Sequence, residues 1–244
     1  MIPVTGEPYK LTSMKIQNQL RNLCLSALLF VAARSNSNAA TYTVDPGAPW
    51  LGYMNVFNLP VDGGGYQFGS TWGTPDLRAT FNGAILTLSP NTIGDPNPYW
   101  YIGGGGPGAP GNKIMDANFY QEITGSLAGQ NVTFTGSVLA NTLTSAHSTV
   151  AFIKDFAPDY SSSVATTVAL TPGVFSITLA TINDPGRHVQ FGFETIGVNV
   201  WATDVGSYGM VDVTVVPEPA TLALVLGGLA CLAGFRRMRV AEKS

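Results

Sequence analysis

Through the middle of the chain, apolar and polar residues alternate with a period of two. Val132, Phe134, Gly136 and Val138 alternate with Thr133, Thr135 and Ser137. Phe175, Ile177 and Leu179 are separated by Ser176 and Thr178, and Val189, Phe191 and Phe193 follow His188, Gln190 and Gly192. Val211, Val213 and Val215 enclose Asp212 and Thr214. Successive side chains of a strand point to opposite faces, so each set predicts a strand with one buried and one wet face. No long stretch of this region repeats apolar residues at helical spacing. Helices are not expected there.

Turn residues separate the alternating segments. Asp62-Gly63-Gly64-Gly65, Asn82-Gly83, Ser89-Pro90-Asn91, Thr171-Pro172-Gly173 and Asp184-Pro185-Gly186 supply positive or fixed φ where the chain reverses. About ten short strands joined in this way predict an all-β fold, an antiparallel β-sandwich of jelly-roll type. No linker divides the region. Gly103 to Gly111 is the nearest candidate, and it reads as a loop within one body.

The two ends follow a different pattern. Lys15 and Arg21 precede the apolar run Leu23–Ala33, and the small residues Ser37, Asn38, Ala39 and Ala40 follow it. This order is that of a secretory signal, with translation expected to start at Met14 and cleavage at Ala39 or Ala40. At the other end, Ala220 to Phe235 forms an apolar run whose only polar side chain is Thr221, followed by Arg236, Arg237 and Arg239. As a helix this run reaches about 24 Å, close to the ~30 Å of a bilayer core. The basic cluster marks its far end as cytoplasmic. The expected organisation is upstream residues and a signal peptide over 1–40, a sandwich body over 41–215, a sorting and membrane segment over 216–239, and a short cytoplasmic tail over 240–244. An N-terminal signal helix and a single C-terminal transmembrane helix would then flank the body.

Charge is divided along the same boundaries. Between Thr41 and Val216 there are ten Asp and two Glu against four Lys and Arg, a net charge of −8, while the whole chain stands at −3. An acidic body of this kind excludes nucleic-acid binding through a basic surface. Cys24 and Cys231 both fall in the terminal segments, so the body has no disulfide and depends on its core.

Catalytic signatures are sparse. Gly103–Gly108 satisfies G-x-G-x-x-G, but Pro107 and Pro110 remove amide donors and no helix pattern follows. The body has no thiol and no G-x-S-x-G elbow. His147 and His188 read as solvated surface residues, and the glutamates Glu122 and Glu194 lie in no hydrolase signature. Aromatic residues give the stronger signal. Tyr99-Trp100-Tyr101 stands before the glycine-rich loop, where exposed rings would offer sugar C–H faces a stacking platform. Core packing is the competing reading for the same rings.

Pro217-Glu218-Pro219, the short Gly/Ala/Leu run and the arginines, with Arg236 and Arg237 first, resemble the PEP-CTERM sorting signal of Gram-negative bacteria. The resemblance covers about 30 residues and implies handling by an exosortase after signal peptidase has acted. It implies export, temporary anchoring in the membrane through the C-terminal helix, and a destination at the cell surface or in the extracellular matrix. From Met115 to Asp212 the body is similar to uncharacterised bacterial surface proteins carrying this tag, through Ala151–Tyr160, His188–Glu194 and Asn199–Asp204. That layout resembles galactose-binding-like jelly rolls of carbohydrate-binding modules, which implies a polysaccharide as ligand class. By the same analogy, Asp45 near the first strand and Asp212 in the last are candidates for one structural Ca²⁺, with turn formation as the competing use of both. No other cofactor is expected. The expected function is a non-enzymatic surface or matrix protein, with a secreted carbohydrate-active enzyme as the alternative.

Overall fold

The structure is a computed structural model that describes residues 39–216. Among these, twelve strands form: β1 (Ala39–Thr43), β2 (Leu51–Asn58), β3 (Tyr66–Thr71), β4 (Ala79–Asn82), β5 (Ile85–Leu88), β6 (Lys113–Thr124), β7 (Asn131–Asn141), β8 (His147–Phe156), β9 (Ser163–Ala169), β10 (Gly173–Ala180), β11 (His188–Val198) and β12 (Val211–Thr214). They make two six-stranded sheets. The first runs β4-β5-β12-β7-β10, with β1 also paired to β7. The second runs β3-β2-β6-β11-β8-β9 and is antiparallel throughout. The fold is an all-β sandwich, as the alternating pattern predicts.

The predicted apolar faces point inward and meet between the sheets. Phe134 of β7 packs on Phe175 of β10, and across the sandwich on Phe191 and Phe193 of β11, at centroid separations of 5.5, 5.8 and 5.3 Å. Val132, Val138, Ile177, Val189, Val211 and Val213 are buried in the same cluster. Trp50 closes the side of this core, stacked on Phe119 at 4.5 Å. Each buried phenylalanine contributes about 3–5 kcal/mol, judged by the usual cost of truncating one to Ala. That core replaces the disulfides the body lacks.

One charged pair enters the interior. Asp155 of β8 is fully buried, and Arg187 meets it with Nε 2.8 Å from Oδ1. The Arg187 guanidinium also donates to the Asp155 carbonyl at 2.6 Å, and the Ile182 amide donates to Oδ2 at 2.8 Å. A carboxylate taken from water needs several such donors to offset its desolvation. Here they tie the segment between β10 and β11 to β8.

Two expectations change. The sandwich is not wholly antiparallel, because β1 joins β7 in parallel over Asn131–Thr135. The four-residue β12 covers only Ser137–Asn141 of β7, and β1 occupies the remaining part of that edge. β1 also begins at Ala39, inside the segment expected to be leader, and Ala40 packs against the core. His147 is no solvated loop residue: it opens β8 at 7% exposure, and its Nε2 lies 2.9 Å from the Val198 carbonyl. The signal segment up to residue 38, Pro217, Glu218, Pro219, the apolar run, Arg236 and Arg237 lie outside the described residues. Among the described residues, no helix is long and apolar enough to cross a membrane.

Candidate functional site

The outer face of the second sheet is polar and aromatic, and its register explains which side chains meet. One row sets Tyr53 of β2 opposite Asn118 of β6 and Glu194 of β11. The next sets Tyr120 opposite Gly192 and Phe152, and a third sets Glu122 opposite Gln190 and Lys154. Asn55 faces Asp116 at the start of β6. These residues come from four strands adjacent in the sheet but far apart in the chain. Together with Tyr160 from the β8–β9 turn, and with Thr71 and Phe156, most of them line an open depression of about 570 Å³.

Gly192 stands between Tyr120 and Phe152 in the middle row of this face. A Cβ there would run into the Phe119 carbonyl and the Tyr120 Cα, so only glycine fits between these backbones. Lys154 extends across this bare position. Its Nζ lies 4.3 Å from the Phe152 ring centroid and donates to Asn118 Oδ1 at 3.0 Å and Glu194 Oε2 at 3.1 Å. Asp116 receives Asn118 Nδ2 at 2.7 Å and Asn55 Nδ2 at 3.0 Å, and it lies within hydrogen-bonding reach of Glu194. Burial and the neighbouring Glu194 charge push the Asp116 carboxyl up to about 6, against the lowering influence of Asn55 and Lys154. Asp116 therefore keeps its proton in mildly acidic water.

The opposite end of the depression is built around Glu122. The Tyr160 hydroxyl donates to Glu122 Oε1 at 3.0 Å, and Gln190 Nε2 donates to Oε2 at 2.7 Å. Tyr160 stacks on His188 with 4.4 Å between centroids and is 48% exposed. Its φ of 58° lies in the left-handed region, which costs a residue with a Cβ roughly 1–2 kcal/mol. Strain of this kind persists where surrounding contacts over-determine a conformation. Burial and the Glu122 hydrogen bond push the Tyr160 phenol up to about 12, and burial followed by Glu122 raises that of Tyr120.

The aromatic triplet singled out in the sequence sits elsewhere and divides. Tyr101 is fully buried, its hydroxyl donating to the Ile93 carbonyl at 2.7 Å, so it offers no platform. Trp100 packs its ring against Phe68 and Tyr99 at the margin of the core. Tyr99 is exposed, with the Lys113 ammonium 4.3 Å from its ring centroid. A turn held by Asn97, whose Oδ1 accepts the Tyr99 amide and whose carbonyl accepts the Trp100 amide, sends the three rings in different directions.

The calcium candidates are likewise used separately. Asp45 closes its own turn by accepting the Gly47 amide at 2.8 Å, and Asp212 accepts the Thr87 hydroxyl at 2.6 Å. Among the described residues, no three His, Cys, Asp or Glu side chains gather as a metal-holding group. Ca²⁺ takes about 6–8 oxygens, and in this arrangement each of the two carboxylates is engaged in its own local hydrogen bond. His188 does lie at the surface, but half-enclosed between Tyr160 and Thr124.

Asp116, Tyr53, Asn55, Asn118, Tyr120 and Tyr160 are among the site residues that the sequence did not single out. The available signal was Asp116, Asn118, Tyr120 and Glu122 recurring at every second position of one strand. Comparison of the chain with protein-family models, with curated proteins and with solved structures finds no match.

Proposed function

We propose that this protein is a non-enzymatic carbohydrate-binding protein of the bacterial surface or matrix, and that the outer face of the β2-β6-β11-β8 sheet is its binding surface. The observation that carries the reading is the depression of about 570 Å³, which combines tyrosine rings with amide, carboxylate and ammonium groups of four strands. Flat rings take the apolar faces of pyranoses while the polar groups take their hydroxyls. Sheet strands hold such groups more rigidly than loops. The fold reading is a jelly roll: β5 to β12 fall in the orders β5-β12-β7-β10 and β6-β11-β8-β9, and the chain changes sheet at each connection except β8 to β9, as two Greek keys require.

Export and sorting complete the proposal. The signal segment, Pro217-Glu218-Pro219, the apolar run and Arg236 with Arg237 support secretion, exosortase cleavage and delivery to the surface or matrix. Replacing the three sorting residues by Ala is expected to leave the protein membrane-retained. Unchanged release counts against exosortase handling.

The enzyme alternative has one observation in its favour, the Asp116–Glu194 carboxyl pair beside the depression. Glycosidases need their two carboxyls about 5 Å or more apart, with the scissile bond between them. Asp116 and Glu194 are in hydrogen-bonding reach of one another, too close to hold a scissile bond between them, which counts against this pair as hydrolytic carboxyls. Titrating the full-length protein with a polysaccharide panel tests the proposal. At least one glycan should bind, Tyr120→Ala should weaken it tenfold or more, and no product should form. Absence of binding across the panel retires it.

A further inference from the structure

Two tyrosines and one carboxylate converge at the Glu122 end of the depression. Tyr120 and Glu122 share a face of β6, and Tyr160 arrives from the β8–β9 turn; all three line the depression, while Tyr53 of β2 lines it further along, opposite Asn118. Tyr120 and Tyr160 remain neutral across the physiological range, since both phenols are shifted upward. Their rings therefore present uncharged π faces, which attract cations through the ring quadrupole.

Glu122 has no strong counter-ion. The Lys154 ammonium is engaged by Glu194 and Asn118, and among the described residues no lysine or arginine bridges to Glu122. His188 is nearest, with Nδ1 3.6 Å from Oε1, and that nitrogen already meets Thr124 Oγ1 at 2.8 Å. The Tyr160 and Gln190 donors fix the carboxylate and leave each oxygen a further acceptor site. The body around it is acidic, with twelve carboxylates against four basic side chains between residues 41 and 216. Such a field repels uronic-acid polymers and draws in cationic chains.

We propose that the Tyr120–Tyr160–Glu122 corner recognises a protonated amine, so that the glycan taken by this face carries amino sugars with free amino groups. The inference rests on the proposed polysaccharide binding and names its ligand class. An acetylated amine has lost both the charge and the full set of donors, and it forfeits the contact with Glu122. A uronic acid places like charge against it.

The test is calorimetric titration of the full-length protein at pH 6 with three tetrasaccharides: β-1,4-linked glucosamine, β-1,4-linked N-acetylglucosamine and an oligouronate. The free-amine tetramer should bind at least tenfold more tightly than the acetylated one, and the oligouronate should be weakest. Glu122→Gln, nearly isosteric, should abolish the preference for the free amine. Tyr120→Leu gives a second reading if that variant fails to fold, with a fivefold or larger loss for the free-amine tetramer and a smaller one for the acetylated form. Equal binding of the first two tetramers, or a preference that survives Glu122→Gln, overturns amine recognition while leaving carbohydrate binding in place. Binding of none of the three, or of any glycan in a wider panel, overturns both.

Discussion

The ring of Tyr160 lies flat on that of His188, with 4.4 Å between centroids and 15° between planes. Stacking on one side and the Glu122 hydrogen bond at the hydroxyl hold the ring at the rim of the depression, while its backbone sits at a φ of 58°. The site thus maintains a strained tyrosine where a glycine would fit more easily.

This arrangement separates stability from binding. Tyr160→Gly relieves the left-handed strain and Tyr160→Ala keeps it, so the Gly variant should be more stable than the Ala variant by about 1 kcal/mol. Both lose the ring and should bind glycan equally poorly. Urea unfolding and glycan titration of the two variants check this. A Gly variant no more stable than the Ala variant would show that the backbone stores no strain there.

Asp116 makes stability depend on pH in an unusual direction for a carboxylate. Its folded value is raised from the ordinary 3.8 to about 6, so the folded state binds the extra proton between those limits. The contribution is fully present below 3.8 and is lost as pH rises through about 6. Asp116→Asn mimics the protonated form, donating toward Glu194 while its oxygen still accepts from Asn55 or Asn118. The variant should be more stable than the parent by roughly 1–2 kcal/mol at pH 8, because each tenfold change in proton affinity is worth about 1.4 kcal/mol and one weakened hydrogen bond offsets part of the gain. Near pH 4, where the ionisation contributes little, the weakened hydrogen bond should leave the variant slightly less stable than the parent, by about 1 kcal/mol. Equal destabilisation at both values would mean that the hydrogen bonds, and not the ionisation, dominate.

Much of the fold was legible because one face of each sheet is dry. Phe175, Ile177, Val189, Phe191, Phe193, Val211 and Val213 point inward as their alternation predicts. β6 is harder to read, since Gln121 is buried on the inner face and Tyr120 lies on the outer one, which blurs the contrast between phases. The site is less legible still. It is assembled from rows across β2, β6, β11 and β8, and no spacing along the chain reveals that Glu122, Gln190 and Lys154 stand side by side. Tyr99-Trp100-Tyr101 divides for a local reason. A turn capped by Asn97 rotates successive rings, so adjacency in sequence did not make one platform.

His147 opposes Asp116 in its pH effect. Burial lowers its folded value below the ordinary 6.5, the Val198 hydrogen bond countering only in part, and its Nδ1 is buried without a partner. The unfolded chain therefore binds more protons just below pH 6.5 than the folded one. Stability from this group is present above that pH and lost as pH falls beneath it. In an Asp116→Asn background, which removes the opposing titration, unfolding free energy should decline from pH 7 to pH 5. His147→Gln should flatten that slope. A slope unchanged by the substitution assigns the acid sensitivity to another group.

Trp100 separates the aromatic triplet from the sheet face as the binding surface. Its ring packs edge-on to Phe68 with 6.2 Å between centroids, and its carbonyl accepts the Asn112 amide and the Asn199 side chain at 2.8 Å each. The side chain is partly exposed, so Trp100→Ala should cost about 2–3 kcal/mol, toward the low end of what a fully buried tryptophan costs. The carbonyl contacts belong to the backbone and survive the change. Glycan affinity should stay within twofold of the parent, because the depression is lined by other strands. Melting and glycan titration of the same preparation check both halves. A tenfold loss of affinity with unchanged melting would move the binding surface back to the Tyr99–Tyr101 turn, and a large melting drop with intact affinity places Trp100 in the packing that supports the sandwich.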